Sequence, residues 1–126
     1  MKNSFSKENI YKFLTSLEGY DNKEISESGV AYKVILHHVD KSVTVTWPYE
    51  LGEVFLDFAQ DEEIIFQDWF DCLDSDELKD FMVYLEAVTK RFLFNDFRIT
   101  KVGKLFFKYS ELQYYKESKW QNVLHP

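Results

Sequence analysis

Apolar residues recur at helical spacing in two segments of the chain. In the first segment they lie at i, i+3, i+4 and i+7, at Ile10, Phe13, Leu14 and Leu17. Ser6 can cap the short N-terminal helix that this spacing predicts, and Gly19 ends it. In the second segment the spacing continues over four turns, at Leu78, Phe81, Met82, Leu85, Val88 and Phe92. It predicts a longer helix near residues 75–94, with Asp74 or Ser75 as the N-cap.

Elsewhere the apolar period changes to two, which is typical of strands. Residues 30–47 predict a hairpin with a turn near Asp40, and Pro48 ends its second strand because proline cannot donate a hydrogen bond to the ladder. The runs EVFLDF and IIFQDWF predict a second hairpin, with the acidic residues of AQDEE at its tip. From Phe97 onward, short runs predict two or three further strands, although residues 110–117 are equally compatible with a helical turn.

The order helix, hairpin, hairpin, helix, strands predicts an α+β fold. In this fold an antiparallel sheet is built from hairpins, and the N-terminal helix and the longer helix near residues 75–94 pack on it. With 126 residues, of which 45% are apolar and 18% aromatic, the chain is long and apolar enough to bury a core. No linker or repeat interrupts it, so we expect residues 1–126 to form a single domain.

The acidic residues are concentrated in the middle of the chain. Thirteen carboxylates and one lysine lie between Glu50 and Glu86, whereas residues 87–126 hold three acids and eight bases. Closely grouped carboxylates repel one another and attract a cationic partner, over a screening distance of ~8 Å at physiological salt. This distribution predicts a strongly anionic face and a basic binding partner.

The same composition disfavours other classes of partner. The formal net charge is −7 and there is no basic stripe, so we expect no direct binding to nucleic acid, which depends on neutralising phosphates. No apolar run approaches the ~20 residues that cross a bilayer, so we expect no membrane partner. A signal-peptide pattern is absent and Cys72 is the single cysteine, which together predict a cytoplasmic protein.

The candidate catalytic and metal-binding residues follow no known motif. Carboxylates can bind a hard cation or act as acid and base, but residues 61–63 lack the spacing of a calcium loop. His37 and His38 are neighbours on a predicted strand, so they point to opposite faces, and we expect one to be buried and one exposed. Cys72 lies among acidic residues, which disfavours a reactive thiolate. We therefore expect no catalytic residue, no metal site and no cofactor.

In size and composition the chain resembles the bacterial immunity proteins of contact-dependent growth inhibition and polymorphic toxin systems. The resemblance rests on the acidic segment from Glu50 to Glu86 and on the run ELQYYKESKW near the end of the chain. It implies a small cytoplasmic protein that binds a cognate toxin domain, a nuclease, and blocks its basic substrate groove. In that class, carboxylates of the immunity protein stand where the phosphates of nucleic acid would bind.

We therefore expect a non-enzymatic immunity protein, monomeric when free, that neutralises a basic toxin domain. The residues expected to contact the partner are Glu53, Asp57, Asp61, Glu62, Glu63, Asp68, Trp69 and Asp71. Trp69 is the expected anchor, because tryptophan is enriched among the residues that dominate interfaces, although each of Trp47, Trp69 and Trp120 is by type more often a core residue. Two alternatives remain: an enzyme of unknown reaction that uses carboxylates or a metal, and an adaptor or structural protein that self-associates through its basic C-terminal region.

Overall fold

The computed structural model describes residues 7–48, 53–70, 75–104 and 107–124. The elements in chain order are α1 (Lys7–Ser16), β1 (Asn22–Glu27), β2 (Ala31–His38), β3 (Lys41–Pro48), β4 (Val54–Gln60), β5 (Glu63–Phe70), α2 (Ser75–Leu93), β6 (Phe97–Lys104), β7 (Phe107–Lys116) and β8 (Lys119–Asn122). Strands β1 to β5 form one antiparallel sheet in sequence order, and β6 to β8 form a second. The fold is mixed α+β and mostly sheet, which confirms the predicted class. No helix in the described part of the chain combines the length and apolarity needed to cross a membrane.

Three features of the sheets differ from the sequence prediction. Strand β1 carries no alternating apolar pattern, since Ile25 is the one apolar residue of NKEISE. The strands divide between two sheets, whereas the pattern predicts one. Most of residues 110–117 belong to β7, so the alternative of a helical turn is wrong. Other expectations concern residues outside the described ranges, namely Ser6, Asp71, Cys72 and Asp74.

The five-stranded sheet has one buried and one exposed face. Alternate residues of β2, β3 and β4 are buried on what we call the inner face: Tyr32, Val34, Leu36, Val43, Val45, Trp47, Val54, Leu56 and Phe58. The cross-strand register places these residues opposite one another on neighbouring strands, so their side chains contact each other across the sheet. The intervening residues form the outer face.

Aromatic side chains join α2 to both sheets. The ring centroid of Phe92 lies 5.2 Å from that of Phe58 in β4 and 5.1 Å from that of Phe97 in β6. Nearer the start of the helix, Phe81 lies 5.7 Å from Trp47 of β3. Aromatic pairs at this range contribute about 0.5–1.5 kcal/mol beyond the burial of their surface. Buried residues of α2 and of both sheets accordingly belong to one hydrophobic cluster.

Polar contacts attach the last described residues to the same helix. The hydroxyl of Tyr84 donates a hydrogen bond to the carbonyl oxygen of Leu124. Two turns further along α2, Arg91 Nη1 donates to the carbonyl oxygen of Val123 at 2.9 Å. Val123 and Leu124 are themselves buried. These contacts hold the segment after β8 against α2 and thereby place the second sheet.

A lysine of the sheet holds the C-terminal end of α2. Lys41 Nζ donates to the carbonyl oxygens of Phe92 at 2.8 Å and Asn95 at 2.5 Å. A cation at this end of a helix also complements the helix dipole. Burial lowers the pKa of Lys41, while the carboxylates of Asp40 and Asp96 act in the opposite direction. The ammonium group of Lys41 is thus bound to the C-terminal end of α2.

The turn between β2 and β3 contains a strained residue. Val39 has a φ of 56° and is 78% exposed, and β-branched residues disfavour this left-handed region.

We predict that Val39→Asn raises the free energy of unfolding by about 0.5–1 kcal/mol, because asparagine tolerates this conformation. Urea denaturation measures the change. Val30→Asn is the control, since Val30 is 74% exposed; an equal effect of both substitutions would contradict the strain.

Candidate functional site

The hairpin formed by β4 and β5 holds most of the residues predicted to contact a partner. We call residues 53–70 the acidic hairpin, because they contain no lysine or arginine and six acids: Glu53, Asp57, Asp61, Glu62, Glu63 and Asp68. Strand β5 forms one edge of the five-stranded sheet. The charges therefore lie at the margin of the sheet, where a partner can reach them from several sides.

The acids surround the hairpin and do not share one face. Asp57 points to the outer face and Asp68 to the inner face, because their positions alternate in the register of β4 and β5. Residues 61–63 form the tip, and Glu53 lies at the other end of β4, roughly 23 Å away at the usual rise of a strand. The six acids of the acidic hairpin are thus distributed over both of its faces and both of its ends. Asp71 lies outside the described residues.

Exposed apolar side chains accompany the charges on the outer face. Trp69 is directly opposite Phe55, and the two residues are 59% and 38% exposed. Ile64, nearer the tip, is 54% exposed. Next to the aromatic pair, Gln67 Nε2 donates to Asp57 Oδ1 at 2.7 Å. Large exposed apolar residues grouped in this way are typical of protein interaction sites.

A neighbouring turn adds a further carboxylate to the tip. The N–H of Asp61 donates to the carbonyl oxygen of Asp40 at 2.8 Å, and Gln60 Nε2 donates to Asp40 Oδ2 at 2.8 Å. Lys41 is adjacent in sequence, but its ammonium group binds the end of α2. The tip is therefore anionic, and the ammonium group of the adjacent Lys41 is bound at the end of α2.

The two histidines pair with separate carboxylates. His37 Nε2 lies 2.8 Å from Glu24 Oε2, and His38 Nδ1 lies 3.1 Å from Asp21 Oδ1. The histidine side chains point to opposite faces, as predicted, but they are 34% and 31% exposed, so the expectation of one buried and one exposed is wrong. Within the described ranges, no three His, Cys, Asp or Glu side chains are grouped so as to hold a metal ion.

A groove of about 360 Å³ lies between the acidic hairpin and the second sheet. Residues 66–68 of β5 form one wall, and residues 109–112 of β7 form the other, with Asn122 and Leu124 beside them. The acidic hairpin therefore borders two surfaces, the exposed outer face and this groove.

Asp68 is the carboxylate that connects the hairpin to the groove. Its Oδ1 accepts a hydrogen bond from the N–H of Trp69 at 2.8 Å, which turns the side chain toward the strand edge. Burial raises the pKa of Tyr84, and the negative charge of Asp68 raises it further. The charge of Asp68 thus acts on the half-buried hydroxyl of Tyr84 in α2.

The three tryptophans differ in exposure. Trp47 is 3% exposed and belongs to the core, Trp69 is exposed, and Trp120 is half-buried. The guanidinium carbon of Arg98 lies 4.4 Å from the ring centroid of Trp120, a cation–π contact within the second sheet. Trp69 is therefore the tryptophan with the largest surface available to a partner.

Protein-family models, curated proteins and solved structures were each compared with the chain, and none matches. The geometry of this chain brings Asp57 and Trp69 to one face, residues 61–63 to the tip and Asp68 to the groove.

The sequence pattern identified Trp69 but not the other exposed apolar residues of this site, Phe55 and Ile64. The alternation in EVFLDF puts Phe55 out of phase with the buried Val54 and Leu56, so the period of two contained the signal that Phe55 is exposed. The groove had no comparable signal, because it depends on where the second sheet meets β5.

We predict that Trp69→Thr lowers the free energy of unfolding by at most about 1 kcal/mol, because it removes one cross-strand pair on an exposed face. Trp47→Ala is the contrast, with a cost of about 3–5 kcal/mol for a buried aromatic residue. Urea unfolding followed by circular dichroism gives both values. A cost above about 2 kcal/mol for Trp69→Thr would mean that Trp69 supports the fold and is not available as a docking anchor.

Proposed function

We propose that this chain is a non-enzymatic immunity protein that binds and neutralises a basic toxin domain, a nuclease, through the acidic hairpin. One observation carries the proposal: the exposed pair Trp69 and Phe55 lies on a hairpin that holds six acids and no lysine or arginine. An apolar anchor surrounded by charge of one sign matches the anatomy of an interface for an oppositely charged protein.

The carboxylates and the exposed aromatic residues of the acidic hairpin have different physical roles. The carboxylates raise the rate of encounter with a cationic surface and disfavour partners of the wrong charge. Trp69 then supplies buried area at the centre of the contact, where water is excluded. A toxin that binds nucleic acid presents a basic groove, and the carboxylates of residues 61–63 would occupy the positions of phosphates in it. We also propose Asp71, predicted from the sequence, as a contact of the toxin.

The proposal also includes the arrangement of the helices. We infer that both helices pack on the inner face, which leaves the outer face and the edge of β5 to the partner. Two ring contacts support this arrangement: Phe13 of α1 lies 6.0 Å from Trp47, and Phe92 of α2 lies 5.2 Å from Phe58. The chain acts as a single cytoplasmic domain that is monomeric until it meets the toxin.

A growth assay tests the proposed function. The C-terminal domain of the protein encoded immediately upstream is expressed in cells with and without this chain. We predict that the domain arrests growth alone, that co-expression restores growth, and that the two proteins elute together on gel filtration. Growth arrest that this chain does not relieve would contradict the proposed function.

Charge reversal at the tip tests the electrostatic part of the proposal. We predict that replacing Asp61, Glu62 and Glu63 with lysine slows association with the toxin domain about tenfold or more and weakens its dependence on salt. Stopped-flow fluorescence measures the association rate at several salt concentrations. The control replaces the exposed acids Glu8, Glu18 and Glu117 with lysine, which changes the net charge equally. Equal slowing by both triple variants would mean that net charge, and not the tip, governs association.

A further inference from the structure

The groove between β5 and the second sheet follows strand edges. Its walls contain the consecutive residues 66–68 of β5 and 109–112 of β7. Successive residues of a strand point to opposite faces, so a groove lined by an uninterrupted run lies along the edge of that strand. Among the described residues, no strand pairs with β5 on this side.

The main chain of Gln67 points toward the free edge of β5. Asp61 donates its N–H to Asp40, on the β3 side, and the direction of bonding alternates along a strand. Even-numbered residues of β4 therefore bond to β5, where their partners include Phe66 and Asp68. Gln67 lies between these two and directs its N–H and C=O away from the sheet.

Ser110 offers a matching pair of groups on the opposite wall. The carbonyl oxygen of Leu112 accepts the N–H of Val123 at 2.9 Å, so Leu112 bonds toward the β8 side. Two residues earlier, Ser110 directs its main-chain groups to the same side. Among the residues that the structure describes, none after β8 pairs with Ser110. Within that part of the chain, each wall of the groove thus presents main-chain groups that an added strand can bind.

The side chains of the groove combine apolar walls with two carboxylates. Phe66 and Leu112 supply apolar surface, and Asp68 and Glu111 supply the charges. Glu111 accepts hydrogen bonds from Asn122 Nδ2 at 3.3 Å and from Gln113 Nε2 at 3.5 Å, and its two carboxylate oxygens have lone pairs for further donors. No lysine or arginine is present among the described residues that line the groove. An aliphatic stem with a cationic tip, as in lysine or arginine, complements this lining.

We propose that an extended segment of the basic partner lies in this groove as an added strand along β5. Its main chain exchanges hydrogen bonds with Gln67, and a lysine or arginine side chain reaches Asp68 and Glu111. Strand addition of this kind derives affinity from the main chain and specificity from the side chains. The inference rests on the proposed function, because it specifies how the acidic hairpin holds its partner.

The variants Gln67→Pro and Gln67→Ala form a matched pair for the test. Both remove the side chain and its hydrogen bond to Asp57, but only proline removes the main-chain N–H. Proline is tolerated at an edge position whose N–H points away from the ladder. The probe is the blocked peptide acetyl-Thr-Arg-Val-Arg-Thr-amide, titrated into the isotope-labelled chain and followed by NMR.

We predict that the peptide shifts the amide signals of Gln67 and Ser110 in the wild type. The Gln67→Ala variant should bind with similar affinity, and the Gln67→Pro variant about tenfold more weakly, as judged from Ser110. Replacing Asp68 and Glu111 with asparagine and glutamine should weaken binding by about tenfold as well. Equal affinity of the proline and alanine variants, or equal binding of a peptide with glutamates in place of arginines, would overturn the inference.

The growth assay separates failure of this inference from failure of the proposed function. If the wild type protects cells and Gln67→Pro protects them as well as Gln67→Ala, the groove is not the partner site and the proposed function stands. If the wild type gives no protection, the proposed function fails, and the peptide titration alone decides whether the groove binds a cationic strand. If Gln67→Pro fails to protect cells while the wild type and Gln67→Ala protect them, both the proposed function and the groove as partner site are supported.

Discussion

The aromatic contacts of α2 hold the two sheets of this protein together. Phe92 packs against Phe58 of the first sheet and against Phe97 of the second. Tyr84 and Arg91 hold the carbonyl groups of residues 123–124 against the same helix. Because α2 fixes the second sheet beside β5, a groove forms between them. Trp47 and Phe58, which contact aromatic rings of α2, belong to the inner face, and Phe55 and Trp69 of the outer face are exposed.

The charge of the acidic hairpin follows from its place at the edge of a sheet. Carboxylates at an edge are surrounded by water, so their repulsion is screened and costs less than it would on a crowded face. An edge strand with free main-chain groups also invites pairing with another copy of the chain, and like charges discourage that pairing. Under the proposed function, the charges of residues 53–70 would disfavour self-association and favour a basic strand.

Local patterns predicted the elements that face the core, because each amphipathic helix and each hairpin buries one set of apolar residues. They did not predict β1, since Ile25 is its single apolar residue. This strand is held in the sheet by its main-chain pairing with β2. The count of acids predicted the charge of the hairpin, but its distribution depends on register: Asp57 and Asp68 lie on opposite faces. The groove could not be predicted, because it depends on the position of the second sheet. That position is set by contacts between residues that are distant in sequence.

Amide hydrogen exchange of the chain, free and with the proposed partner, the C-terminal domain of the protein encoded upstream, tests most directly whether the acidic hairpin is the binding surface. We predict slower exchange in the complex throughout residues 53–70 and at Ser110, with residues 97–102 of the second sheet unchanged. Slower exchange confined to residues 97–102 or to α1, with the acidic hairpin exchanging as in the free chain, would contradict it.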